Sequence, residues 1–310
     1  MGFPGIPTFI AAIKNGWIKP RGLTIDMVRK NLPNSMPIAQ GHLKLHRQGL
    51  QSTTNPHPIV VSPPPSLPTA SLPVVIPPSD PFIPTNTLFT KVLQAKDFSH
   101  RNHADTTGRF PVTWRQGSNY LLLFYCEDTS YIHIVPFASR SKSEYIRAFC
   151  LGIQFFQARG FKPAIQRLDN EISFDLLSLL KNKFNIIAEL APPPSNHRSL
   201  LAERGIQTWK DHFISTLCTT DRNFPLSCWE DLVTPAEIYL NLMRAASIHP
   251  TKSAYEMVCG TYDMNRHPLF PLGTLVLIHN SVENRRSWDP HGVPDFYLGP
   301  ALHHYRCLNV

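Results

Sequence analysis

Three carboxylates stand out by where they fall in the chain. Asp105 sits in HADTTGRFP, Asp169 in IQRLDNEISF and Glu203 in LLAERGIQTWKDHF. There are 63 residues between the first two and 33 between the second and third. Three such acids, if brought together, suit one kind of chemistry. Two divalent ions about 4 Å apart clamp a phosphodiester, one activating the attacking oxygen and the other stabilising the leaving oxygen. Hard cations want oxygen ligands, and carboxylates supply both ligand and charge. Without metal, crowded acids repel and raise one another's pKa. Each acid also has an ordinary reading. Asp105 and Asp169 could hold a turn or cap a helix, and Glu203 could simply favour a helix N-terminus.

The elements that would position them can be read from the pattern. Residues 119–126 (NYLLLFYC) and 131–137 (YIHIVPF) are apolar, aromatic and β-branched, with Glu-Asp-Thr-Ser between them, which predicts a hairpin. Asp105 is placed just before it, at a strand edge. Ser143 opens a helix to about Arg159, with Tyr145, Phe149, Ile153 and Phe156 at helical spacing, and Gly160 ends it. Residues 164–168 form a short strand with Asp169 at its end. A helix over 174–183 and a strand over 185–188 follow. The helix over 200–217 has an apolar stripe, Ala202, Ile206, Trp209, Phe213 and Leu217, beside a polar row, Glu203, Gln207 and Lys210. A further helix covers most of 225–246. Hairpin, helix, strand, helix, strand, helix is an α/β pattern, a mixed sheet flanked by helices. Residues 251–310 are expected to be β-rich, with strands at 275–279, 295–298 and 303–307 and a small barrel as one arrangement.

The rest of the chain sets bounds. A formal charge of +8 and pI near 9.2 suit a polyanionic partner. Residues 1–50 carry seven Lys or Arg against Asp26 alone, over three short helical patterns at 7–14, 24–31 and 39–50, with Thr24 as an N-cap. His42 and His46, spaced i, i+4, could share a metal, but the first cysteine is Cys126, and zinc is not expected. Eleven prolines in residues 55–88 predict an extended linker, set at 51–88, between this module and the core at 89–250. Six scattered cysteines without a C-x-x-C pair fit reduced thiols in an intracellular protein. No stretch has the roughly 18 apolar residues of a membrane span.

With these residues in view, the chain resembles the integrase region of a copia-type LTR retrotransposon polyprotein. ADTTGRFPV, IQRLDNE and AERGIQTWKDHFI match the family's D…D…E triad, and the gap of 33 is close to its spacing. FPLSCWEDLVTPAEIYLNLMR resembles the helical segment after the third acid; GTLVLIHN and SWDPHGVPDFYLGPALHHYRC resemble the region beyond the core. Residues 1–50, running into GHLKLHRQGLQST, look like the pre-integrase segment.

The resemblance implies an RNase H-like fold. It also implies a polynucleotidyl transferase acting on element ends and target DNA, in the nucleus and as a homo-oligomer. Asp105, Asp169 and Glu203 would hold Mg²⁺ or Mn²⁺, and Arg198, Arg204 and Lys210 would meet phosphates, with His197 a lesser candidate for positioning. Two departures stand beside it: no cysteine precedes Cys126, so the family's N-terminal zinc module is missing or truncated, and Ser199-Leu200-Leu201 precede the third acid where the family often has Asn. These are what a non-catalytic, DNA-binding remnant would carry. A third reading is a structural α/β domain whose acids are caps.

Overall fold

The computed structural model describes residues 5–31, 36–42, 100–168, 173–190, 200–281, 283 and 285–310, which all fall in one compact unit. Three short helices come first: α1 (Ile6–Lys14), α2 (Ile25–Lys30) and α3 (Met36–His42). Thr24 caps α2 as expected, its hydroxyl accepting from the Met27 N–H at 3.2 Å. The expected third helix is described only as far as His42; the segment over 43–50 and the proline-rich segment over 51–88 lie outside the described residues.

The centre of the molecule is a five-stranded sheet. Its strands are β1 (Arg101–Thr106), β2 (Tyr120–Cys126), β3 (Ile132–Phe137), β4 (Ile165–Leu168) and β5 (Ile187–Leu190), in the order β3-β2-β1-β4-β5. β3, β2 and β1 run antiparallel, and β1, β4 and β5 run parallel. Helix α4 (Lys142–Gln157) links β3 to β4, α5 (Phe174–Phe184) links β4 to β5, and α6 (Leu200–Leu217) follows β5. This is the expected mixed sheet flanked by helices.

One strand departs from the reading. The pattern gives β1 no range; Asp105, expected just before the hairpin at a strand edge, is the penultimate residue of the central strand. RNHADT has Ala104 as its one apolar side chain, so alternation could not show. The strand forms because both of its edges are used, by β2 on one side and β4 on the other. At the far side, Asn185 is not in β5; it ends α5 in the left-handed region at φ 53°, which a short polar side chain tolerates.

Packing on one face is close. Leu122 and Phe124 are fully buried, and a Cβ added at Gly152 of α4 would strike the Phe124 ring. The β3 edge is closed by side chains rather than by another strand. After a 3₁₀ stretch (Leu226–Leu232), kinked at Cys228, comes α7 (Val233–Leu242), so the span expected as mostly one helix over 225–246 is two pieces that meet at Leu232–Val233. Glu237 of α7 accepts from the Ile134 N–H at 2.8 Å and from the Tyr131 hydroxyl at 2.9 Å. Asn241 accepts from the Ile132 N–H at 2.9 Å and donates to its carbonyl at 2.8 Å. A buried edge strand has to find such partners for its backbone.

Past α8 (Ala254–Cys259) the chain is β-rich but builds no barrel among the described residues. β6 (Leu275–His279) pairs with β7 (Gly292–Phe296), and β8 (Gly299–Pro300) with β9 (Leu308–Asn309), as two separate antiparallel pairs. The strand expected over 303–307 is a run of turns, with Arg306 at φ 53°, which no extended strand allows. The N-terminal helices dock on the body. Trp17 Nε1 donates to the Thr251 carbonyl at 3.1 Å, and a Cβ on Gly41 would collide with Ser215 of α6, so only glycine permits that approach. Among the described residues no helix is long and apolar enough to cross a membrane.

Candidate functional site

Alternation along β1 decides what Asp105 can meet. Arg101, His103 and Asp105 point to one face of the sheet, and Asn102 and Ala104 to the other. Directly paired residues on neighbouring strands share a face. Asp105 therefore lies beside Leu123 of β2. His103 lies between Tyr125 of β2 and Arg167 of β4, and Arg167 pairs with Glu189 of β5. The result is a polar row across four strands, one step along from Asp105. The Asp105 carboxylate is partly exposed, and its Oδ1 accepts from the Thr106 N–H at 2.6 Å.

The row is tightly coupled. His103 is buried, with Nε2 2.6 Å from Glu127 Oε1. Burial alone would push the Glu127 carboxyl up. The hydrogen bond from His103, with Arg101 and Arg167 close by, outweighs this and holds it below the usual carboxylate range. Arg101 Nε is 3.9 Å from Glu189. These five groups were missed by the sequence reading, which looked for acids alone. The available signal was period two: R-x-H-x-D in β1 continues the face that carries Asp105, but it can be used only once β1 is known to be a strand.

Helix α6 covers the same face. A Cβ at Gly205 would stand 3.2 Å from Leu123 Cδ2 and 3.7 Å from Tyr125 Cδ2, so the helix rides close over the partner of Asp105. Glu203 is two residues before Gly205, in the first turn of α6, and is partly exposed. The apolar stripe forms as read, with Ala202, Trp209 and Phe213 buried; Arg204, Gln207 and Lys210 are exposed. Asp169, Arg198 and His197 lie outside the described residues, as does His46. Among the described residues, no three His, Cys, Asp or Glu side chains converge to hold a metal.

One alternative for Asp169 can be weighed from its neighbours. The helix that follows, α5, is capped by Ser173, whose hydroxyl accepts from the Leu176 N–H. The capping position is therefore filled by another residue. As a donor set, Asp105, Asp169 and Glu203 offer carboxylate oxygen only, which fits a hard divalent cation such as Mg²⁺ or Mn²⁺.

No family model matches the chain, and no curated protein matches it. Solved structures do resemble it. The catalytic core domain of BIV integrase is 14% identical with a TM-score of 0.38, covering 52% of this chain and 93% of that one. The HTLV-2 integrase catalytic core in complex with magnesium, in its trimeric form, is 16% identical with a TM-score of 0.39, covering 52% and 96%. The simian T-cell lymphotropic virus intasome in complex with PP2A regulatory subunit B56 gamma is 14% identical with a TM-score of 0.42, covering 64% and 69%. At these values the likeness carries no function across to this chain.

Proposed function

We propose that the chain is a metal-dependent polynucleotidyl transferase of the integrase type. Water attacks a phosphorus near the end of an element's DNA and frees a 3′-hydroxyl. That hydroxyl then attacks a target phosphorus, and the target's own 3′ oxygen leaves. Asp105, Asp169 and Glu203 hold Mg²⁺ or Mn²⁺, which when bound activates the attacking oxygen and offsets charge on the leaving oxygen. Arg204 and Lys210, on the exposed side of α6, and Arg198 meet phosphates, so binding weakens as salt rises. Acting on two DNA ends calls for more than one copy of the chain.

The observation that carries this reading is the register of β1 against β4. Arg101, Asn102 and His103 pair with Ile165, Gln166 and Arg167, each offset by 64 residues. Asp105 and Asp169 are separated by the same 64. This shared offset is what supports reading the two acids together rather than as two independent caps. The close passage of α6 over Leu123 supports Glu203 as the third.

A second reading is a non-catalytic remnant that still binds DNA, favoured by Leu200-Leu201 at the start of α6, where the family often has Asn. A strand-transfer assay on duplex ends, with and without Mg²⁺, separates the two. The enzyme reading expects metal-dependent joining that Asp105→Asn and Glu203→Gln abolish while DNA binding persists. DNA binding without joining by the wild type, under all metals tried, would leave the remnant.

A further inference from the structure

One residue ties together the polar row that runs beside Asp105. Glu127 directly follows β2, and its N–H donates to the Arg101 carbonyl at 3.0 Å, which continues the β2–β1 pairing by one step. Its carboxylate lies against His103 of β1, with Oε1 2.6 Å from Nε2. The positive charge of Arg167, on β4, acts on the same carboxylate, as does that of Arg101. One acid therefore engages side chains on two strands besides its own. Glu189 of β5 extends the row, 3.9 Å from Arg101 Nε.

The place of this tie along the strands matters. Among the described residues β1 and β4 pair at three positions, and the last of them is His103 with Arg167. Asp105 and Asp169 each stand two residues further on. The buried His103 ring has little freedom, because Glu127 holds its Nε2 and the Tyr125 ring meets it edge-on, with centroids 6.3 Å apart. The Nε of Arg167 is buried without a hydrogen bond among the described residues, so its tie to Glu127 is electrostatic. A charge drawn out of water needs opposite charge to compensate it. Here one carboxylate serves a side chain on each of the two strands.

We propose that Glu127 is a positioning residue: by engaging His103 of β1 and Arg167 of β4 at once, it locks the two strands two residues short of the metal-holding acids and so sets the spacing of Asp105 and Asp169. This rests on the proposed metal-dependent reading of the site. Two ions about 4 Å apart tolerate little error in their ligands. Groups that orient metal ligands from behind change metal affinity by about 10–100-fold when removed.

Calorimetric titration of Mn²⁺ into the full chain, with saturating duplex DNA ends present and well below each protein's melting temperature, tests it. Glu127→Gln keeps an acceptor for His103 and removes the charge that draws Arg167. Arg167→Met removes the other partner and keeps a long side chain. Both should weaken Mn²⁺ binding about tenfold or more. The double variant should bind no worse than the weaker single one, because both break the same tie. In metal-free protein, amide exchange over β1 and β4 should quicken in both variants while exchange over β3 does not, and unchanged exchange would overturn the proposal. A bare charge effect has another signature: losing a negative charge weakens cation binding, and losing a positive one tightens it. Opposite shifts in the two variants would therefore overturn the proposal. No Mn²⁺ binding by the wild type would overturn the metal reading and the positioning role with it. Wild-type binding that Asp105→Asn abolishes, but that neither Glu127→Gln nor Arg167→Met alters, would overturn the positioning role alone.

Discussion

The two faces of the sheet are built from the same strands and differ in kind. Toward α4, β2 sends Leu122 and Phe124, and β1 sends Ala104, all buried. Toward α6, β1 and β4 send Arg101, His103, Asp105 and Arg167, with Leu123 buried beneath Gly205. A strand places successive side chains on opposite faces, so one short segment can serve packing and chemistry together. The comparison teaches a division of labour. Changes on the α4 face should move stability, and changes on the α6 face should move function.

The largest expected effect lies on the packed face. Phe124→Ala removes a ring wedged against Gly152 and Phe149 and should cost about 3–5 kcal/mol. Denaturant unfolding reads it directly, and near-wild-type stability would break the contrast. Next comes the closed edge. Glu237→Ala strips the Tyr131 hydroxyl and the Ile134 N–H of their acceptor and should cost roughly 3 kcal/mol.

A smaller effect depends on pH. Burial lowers the His212 pKa from 6.5 to about 4, despite the Ala236 carbonyl, so the folded state keeps this ring neutral. The unfolded chain takes up the proton first. Stability is therefore full above about 6.5 and falls as pH drops toward 4, by about 2 kcal/mol at pH 5. His212→Gln should flatten that slope in melting curves taken between pH 7 and pH 5. The smallest effect sharpens the question of Asp169. Ser173→Ala should cost about 1 kcal/mol as a lost cap, whereas Asp169→Asn should leave stability within about 0.5 kcal/mol. Equal losses in both would return Asp169 to a capping role.

How much was legible follows from what each segment buries. The hairpin strands, α4 and α6 are long and apolar at clear periods, and their outlines were readable. β1 was not, because its buried residues include Asn102 and His103, which carry no hydrophobic signal. The acids were visible as residue types, but the row around them depends on a strand register, which is a property of pairing and not of composition. The span 225–246 reads as one helix because apolar residues recur along it; the kink at Cys228 and the change from a 3₁₀ stretch to α7 at Val233 are tertiary matters. His212 looks ordinary in sequence, since its burial comes from α7 packing on α6.

The central claim is that Asp105 and Asp169 share a divalent metal with Glu203. Calorimetric titration of Mn²⁺ into the full chain with duplex DNA ends present tests it most directly, comparing wild type with Asp105→Asn and Asp169→Asn. The account predicts binding by the wild type that either substitution abolishes, with melting temperatures unchanged. Equal binding in all three proteins, or none in the wild type, would contradict it.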